Sequence, residues 1–271
     1  LGLIDASSNM QGVLAQRGRP TPLLGRFFAT LTAGSIVGAL GMAGILASGA
    51  PAFAALVAAA AVQVVFVLSG ARLLSRERAA RSPERSGTRG PRLDGRAITV
   101  VGLVILAAYT VDSAVSSWGA IHLESIGAAV ALAPVGLAAY QGGVLVARMM
   151  TDAVVRRVGR ARLLAVGLVL GVAGALIVAA VPSPVVTIGA FAVSGLAVGA
   201  LVPIAFGLAG SIDPARSDEV IARVNLFNYA GAVIGAVGVG VLTDVTGSGL
   251  AFLLPALLLA AAVPAWRRTA R

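Results

Sequence analysis

The sequence contains no cysteine, no lysine and a single histidine, His122. Those absences exclude a disulfide framework, thiolate chemistry and a Cys/His metal centre. One histidine also leaves too little for the Ser–His pairs or clustered ligands that membrane-embedded hydrolases need. Charge is scarce as well. Charged residues make up 12% of the chain, against about 25% in an ordinary soluble domain. No G-x-x-x-x-G-K-[ST] loop is present to cradle a nucleotide phosphate, so ATP is not a direct energy source. The net charge of +10 comes entirely from arginine, in short clusters between apolar runs. A nucleic-acid partner would need a basic face interleaved with aromatics, and none is present. High alanine and glycine without lysine is the composition of a GC-rich bacterial genome.

What the chain has in abundance is apolar surface. Hydrophobic residues reach 58%, and the mean hydropathy is +0.94. No single aqueous core could bury that much, so the natural solvent is lipid, crossed by spans of about 20 apolar residues. Residues 1–12 read as the second half of such a span, because residue 1 already lies in an apolar stretch with no signal peptide ahead of it. The expectation is a chain that begins inside a helix. Complete spans follow at 23–47, 53–71, 97–121, 127–153, 162–181, 185–211, 220–242 and 248–266. Gly34, Gly38, Gly41 and Gly44 form one small-residue stripe, and Gly195, Gly199, Pro203, Gly207 and Ser211 form another. Each is expected to let a neighbouring helix approach closely. Residues 72–96 differ in character: eight Arg, three acids, Pro83 and Pro91 describe an aqueous linker.

Number the connections between spans in order. Every arginine is expected in the first, third, fifth and seventh connections and in the tail, with none in the others. That alternation is the positive-inside pattern, and it puts the 72–96 linker and the C-terminus in the cytoplasm. The fifth connection is a short Arg-dense hinge, A-R-M-M-T-D-A-V-V-R-R-V-G-R-A-R-L-L from Ala147 to Leu164. Asp152 and Arg156 are four apart and can pair on one helix face. Gly159 allows the turn, and Arg157, Arg160 and Arg162 carry its charge.

The D-x-x-x-R-R-x-G-R spacing of this hinge resembles the loop between the eighth and ninth helices of major facilitator superfamily transporters. Six spans after a long basic loop, with such a hinge between the second and third, resemble the C-terminal half of that fold. Residues 2–12, G-L-I-D-A-S-S-N-M-Q-G, look like the fourth-helix pattern of its fucose-permease-like branch, and A-x-x-x-D-S-A-V-S-S-W at 108–118 resembles a stretch where that branch usually has an acidic residue six before a Trp. Two departures stand against that branch: Phe27-Phe28 where a Phe-His pair is usual, and Gly235-Ala236-Val237 where Gly-Pro-Pro is usual. The resemblance implies an all-α integral membrane bundle. Residues 1–71 would be the end of the N-terminal six-helix half (helices 4–6) and 97–271 the complete C-terminal half (helices 7–12), with the first three helices missing.

Ionisable groups inside a span cost about 2.5–3.5 kcal/mol for Asp on insertion scales, so each needs a reason. Asp5 falls near mid-membrane with Asn9 one turn below it. They could line a substrate or proton pathway, or lock helices together. Asp112 falls in the outer half of its span among Ser113, Ser116 and Ser117. Desolvation disfavours a charged carboxyl there, which would suit proton exchange. Otherwise it reaches outer water, with Trp118 as an interfacial anchor. Gln141, Asn225 and Asn228 are further pathway candidates. The resemblance makes Asp152, Arg156 and Arg157 gate latches, with Gly159 and Arg160 in the same loop. Arg148 could pair with Asp152 or snorkel to the interface. His122 and Glu124 read as solvated loop residues, and Asp244 as a helix-end cap.

The leading function is secondary active transport of a small solute, sugar, metabolite or drug, across the bacterial inner membrane by alternating access. Proton coupling would use the few buried acids. A single chain, no cofactor and no metal are expected, with solute, protons and the lipid bilayer as partners. The alternative is a non-transporting or truncated membrane paralogue with a sensor or structural role.

Overall fold

The computed structural model describes residues 24–70 and 93–267. Asp5, Asn9, the expected first half-span and most of the linker lie outside the described residues. Among the described residues every regular element is helical: α1 (Leu24–Ala47), α2 (Ala52–Gly70), α3 (Gly95–Ser125), α4 (Ala133–Val158), α5 (Arg160–Ala180), α6 (Pro184–Ile212), α7 (Ser217–Val233), α8 (Val239–Thr246), α9 (Ser248–Ala251) and α10 (Leu253–Arg267). A one-turn 3-10 segment, Val130–Leu132, leads into α4, and a π-helical turn, Ile234–Gly238, joins α7 to α8 in one continuous rod. Five of these rods are long and apolar enough to cross a bilayer.

The ends follow local chemistry. The Asp94 side chain accepts 3.0 Å hydrogen bonds from the Arg96 and Ala97 backbone N–H groups, capping α3. This cap starts the helix at Gly95, two residues before the expected boundary. At the other end α3 continues to Ser125 instead of stopping at 121, which moves His122 and Glu124 from a loop onto a helix. Gly159 sits at φ +84 between α4 and α5, so the reversal there uses a conformation that only glycine enters cheaply.

Helices α3 and α6 hold most of the core, with Ile105, Ala108, Leu123, Phe191 and Leu201 at zero exposure. Around them α4 packs on α6, α5 on α6, α7 on α3, and α10 on both α5 and α3. Helix α1 docks on α4, and α2 touches α1. Outward faces stay apolar: Val233, Val237, Val241 and Val245, spaced by four, are each more than half exposed. On a soluble protein such a stripe would demand a partner, whereas lipid covers it at no cost.

The close approaches come from one of the two expected glycine stripes only. A Cβ at Gly195 would strike the Tyr140 carbonyl, and one at Gly199 would lie 2.7 Å from the Val144 carbonyl. Gly207 meets nothing within 4 Å. In α1 none of Gly34, Gly38, Gly41 and Gly44 has a described atom within 4 Å of a built Cβ. Small-residue spacing permits close packing, but it does not choose which helix arrives.

Candidate functional site

Helix α3 is the spine of the polar interior, and its register against the α7–α8 rod is fixed by glycines. A Cβ at Gly231 would strike the Leu106 carbonyl, and one at Gly235 the Thr110 carbonyl. The hydroxyls of α3 exploit that closeness. Thr110 Oγ1 donates to the Gly231 carbonyl at 3.2 Å, Ser113 Oγ to Ala232 at 2.8 Å, and Trp118 Nε1 to Ala236 at 2.7 Å. Ala236 lies in the π-helical turn, where the lost i→i−4 pattern leaves carbonyls for outside donors. Trp118 is therefore stitched into the bundle and is not an interfacial anchor.

One turn from these contacts sits Asp112. The halfway point of Gly95–Ser125 is Thr110, so Asp112 lies about 3 Å past mid-helix toward the Ser125 end. Its Oδ1 accepts a 2.8 Å hydrogen bond from the Tyr140 hydroxyl of α4. Tyr140 is wholly buried, and its backbone is the surface against which Gly195 packs. The α4–α6 contact thus holds the ring, and the ring holds the acid. A buried tyrosine hydroxyl needs a partner, and here the partner comes from another helix.

Arg148 occupies a third position in this arrangement. The midpoint of Ala133–Val158 falls between Leu145 and Val146, so Arg148 lies about 4 Å from mid-helix and ten residues short of the hinge. Its Nη1 donates to Thr32 Oγ1 at 3.0 Å, joining α4 to α1. The expected pairing with Asp152 does not form, and Arg148 breaks the rule that every arginine lies in a connection. Helical side chains lean toward the N-terminus, which carries the guanidinium away from the hinge and toward the level of Asp112.

The other candidates are dispersed. Gln141 is half-buried on α4, next to Tyr140 in sequence. Asn225 and Asn228 contact each other at 3.5 Å, around the middle of α7. With Thr110 opposite Gly235, Asn228 lies about 10 Å along the rod axis from that level, toward the hinge end. Asp152, Arg156, Arg157, Gly159 and Arg160 are all exposed at that end. The Asp152–Arg156 pair is absent: among the described residues the ion pairs are Arg216–Glu219 at 2.6 Å and Arg223–Glu219 at 2.7 Å. An exposed pair gains only about 0–1 kcal/mol, too little to hold two long side chains in one geometry.

His122 is a correction. It is buried in the last turn of α3, its Nδ1 3.0 Å from Ser248 Oγ and its ring 5.3 Å from that of Phe252. It borders a cavity of about 330 Å³ shared with Val178, Pro182 and Leu250. The extra helical turn beyond residue 121 rotates it inward. Glu124, two residues on, is exposed as expected. Tyr140 is not legible from sequence: a tyrosine in an apolar run reads as core, and only the fold brings its hydroxyl to Asp112.

Long apolar helices around an acid–tyrosine pair, with an exposed guanidinium near the middle of α4, define a polytopic membrane protein with polar groups inside its spans. The comparisons with known proteins make the class specific. Residues 98–271 match the family model of the Major Facilitator Superfamily, and the chain belongs to that family. It is similar to an uncharacterised MFS-type transporter of Yersinia pestis, 24% identical over 267 residues, covering 96% of this chain and 67% of the relative. A second relative, an uncharacterised transporter of Sinorhizobium fredii, is 24% identical over 262 residues, covering 96% and 68%. Membership points to transport rather than catalysis.

Proposed function

We propose that this chain carries a small solute across the bacterial inner membrane by alternating access, driven by protons exchanged at Asp112. The observation that carries the proposal is the Asp112–Tyr140 hydrogen bond in mid-span, with Arg148 eight residues further along the helix that holds Tyr140. A carboxyl at that depth is costly, and the expense is reasonable where the group must gain and lose a proton. Tyr140 then orients the acid. The α1–α4 seam, bridged by Arg148 and Thr32, lies on the solute path. Residues 1–71 and 97–271 would belong to the two halves that rock against each other, with Asp5 and Asn9 contributing from the first.

Asp152, Arg156, Arg157, Gly159 and Arg160 form the gating turn in this scheme. Their exposure in the present state leaves them available to close on another surface. The 72–96 segment and the C-terminus are cytoplasmic, and one chain is the working unit. Proteoliposome flux across solute classes, with and without an imposed pH gradient, is the test. Asp112→Asn should lower gradient-driven accumulation about tenfold or more, a barrier change of about 1.4 kcal/mol, while solute exchange at equal pH survives. Full gradient-driven accumulation by that variant would overturn the proton assignment.

A further inference from the structure

We propose that the solute is a monovalent anion, a carboxylate, seated on the Arg148 guanidinium and accompanied by one proton on Asp112. The inference rests on the transporter reading and names its substrate class. Arg148 lies about 4 Å from the middle of α4, is exposed, and has one hydrogen-bond partner among the described residues, the neutral Thr32 hydroxyl. A guanidinium facing hydrocarbon there would be heavily penalised, so its open face borders a polar path. Its planar fork of donors matches a carboxylate in two parallel hydrogen bonds.

The charges nearby set the stoichiometry. Asp112 is tied to α4, the helix of Arg148, through Tyr140. Tyr140 donates to that acid from α4, and Tyr109 lies one turn before it on α3. Along Pro184–Ile212 of α6, along 224–243 of the α7–α8 rod and from Leu253 to Val263 of α10 there is no charged residue, and Tyr229 at mid-rod is exposed. With no solute bound, the Asp112 carboxylate and Arg148 sum to zero. A bound carboxylate makes the sum −1, and one proton taken by Asp112 from the adjoining water restores zero. The loaded pathway then crosses its closed state with no net charge in low dielectric, the least costly arrangement. The proton leaves Asp112 to water on the far side as the carboxylate departs.

Matched probe pairs test this on the full chain: lactate with lactamide, benzoate with benzamide, and gluconate with glucose. Thermal unfolding in detergent should rise saturably with at least one carboxylate and not with its neutral counterpart. Arg148→Gln should bind that carboxylate on the order of ten- to a hundredfold more weakly, the range for a lost charge-assisted hydrogen bond. Arg148→Lys should retain part of the affinity, keeping charge without the fork. In liposomes, uptake of the carboxylate should follow a pH gradient and ignore a potassium diffusion potential. Asp112→Asn should make that uptake respond to the potential, because the anion then travels alone.

The inference is overturned if no carboxylate binds, if neutral partners bind equally, if Arg148→Gln keeps parental affinity, or if Asp112→Asn transport stays electroneutral. Gradient-driven accumulation of a neutral solute would overturn it while leaving the transporter reading intact. Binding without flux of any solute would sink the transporter reading and leave the anion site standing.

Discussion

Tyr140 and Asp112 hold each other in place, and the consequence can be measured. Replacing Tyr140 with Phe keeps the ring against α6 but leaves the Asp112 oxygen without its 2.8 Å donor. The expected cost is about 1–3 kcal/mol of stability, the range for a buried acceptor stripped of its partner. Thermal unfolding in one fixed detergent checks it, and proton-driven uptake should fall in parallel. At this scale the sequence was half legible. Asp112 stood out because an acid inside an apolar span is expensive wherever it points. Arg148 was misplaced, because its four-residue spacing to Asp152 matched a helix-surface pair and drew it into the hinge. His122 was misplaced by one turn of helix. A single residue's depth depends on where its helix begins and ends, and caps such as Asp94 set those limits more tightly than hydropathy does.

Helix pairs carry the next set of consequences. Where α6 crosses α4, Gly195 leaves no room for a methyl, because its Cβ would enter the Tyr140 carbonyl. Gly195→Ala should therefore destabilise by about 1–3 kcal/mol through overpacking, and it should disturb the Tyr140–Asp112 pair as well. Gly189→Ala, on the same helix with nothing within 4 Å, should stay within about 1 kcal/mol of the parent. Comparing the two melting temperatures separates packing from propensity. Equal effects would show that the α4–α6 contact is looser than described. The existence and order of the helices after residue 93 were legible from apolar run lengths and from breaks at glycine, proline and arginine. The partner of each glycine stripe was not. Spacing defines a smooth face, and only the rest of the bundle determines what fills it.

For the molecule as a whole, sidedness is the property most open to test. Since the chain has no cysteine, single cysteines can be introduced against a silent background. Ser86→Cys and Thr269→Cys should react with an impermeant maleimide from the cytoplasmic side alone, and Gly127→Cys and Ser183→Cys from the opposite side alone. Labelling of positions 86 and 269 from opposite sides would refute the topology. By itself the sequence determined that this is a multispan helical membrane protein, because apolar length and clustered arginine are properties of the chain in lipid, independent of who packs against whom. Tertiary structure alone decided that Tyr140 meets Asp112 and that Arg148, on the same helix as Tyr140, turns to Thr32 of α1. Asp112, Tyr140 and Arg148 are 28 and 8 positions apart along the chain, and α3 and α4 meet there because glycines let α6 and the α7–α8 rod press them close. Short-range pattern records what each helix is made of. The meeting of side chains from different helices depends on rotation and depth, which are settled only when the whole bundle closes.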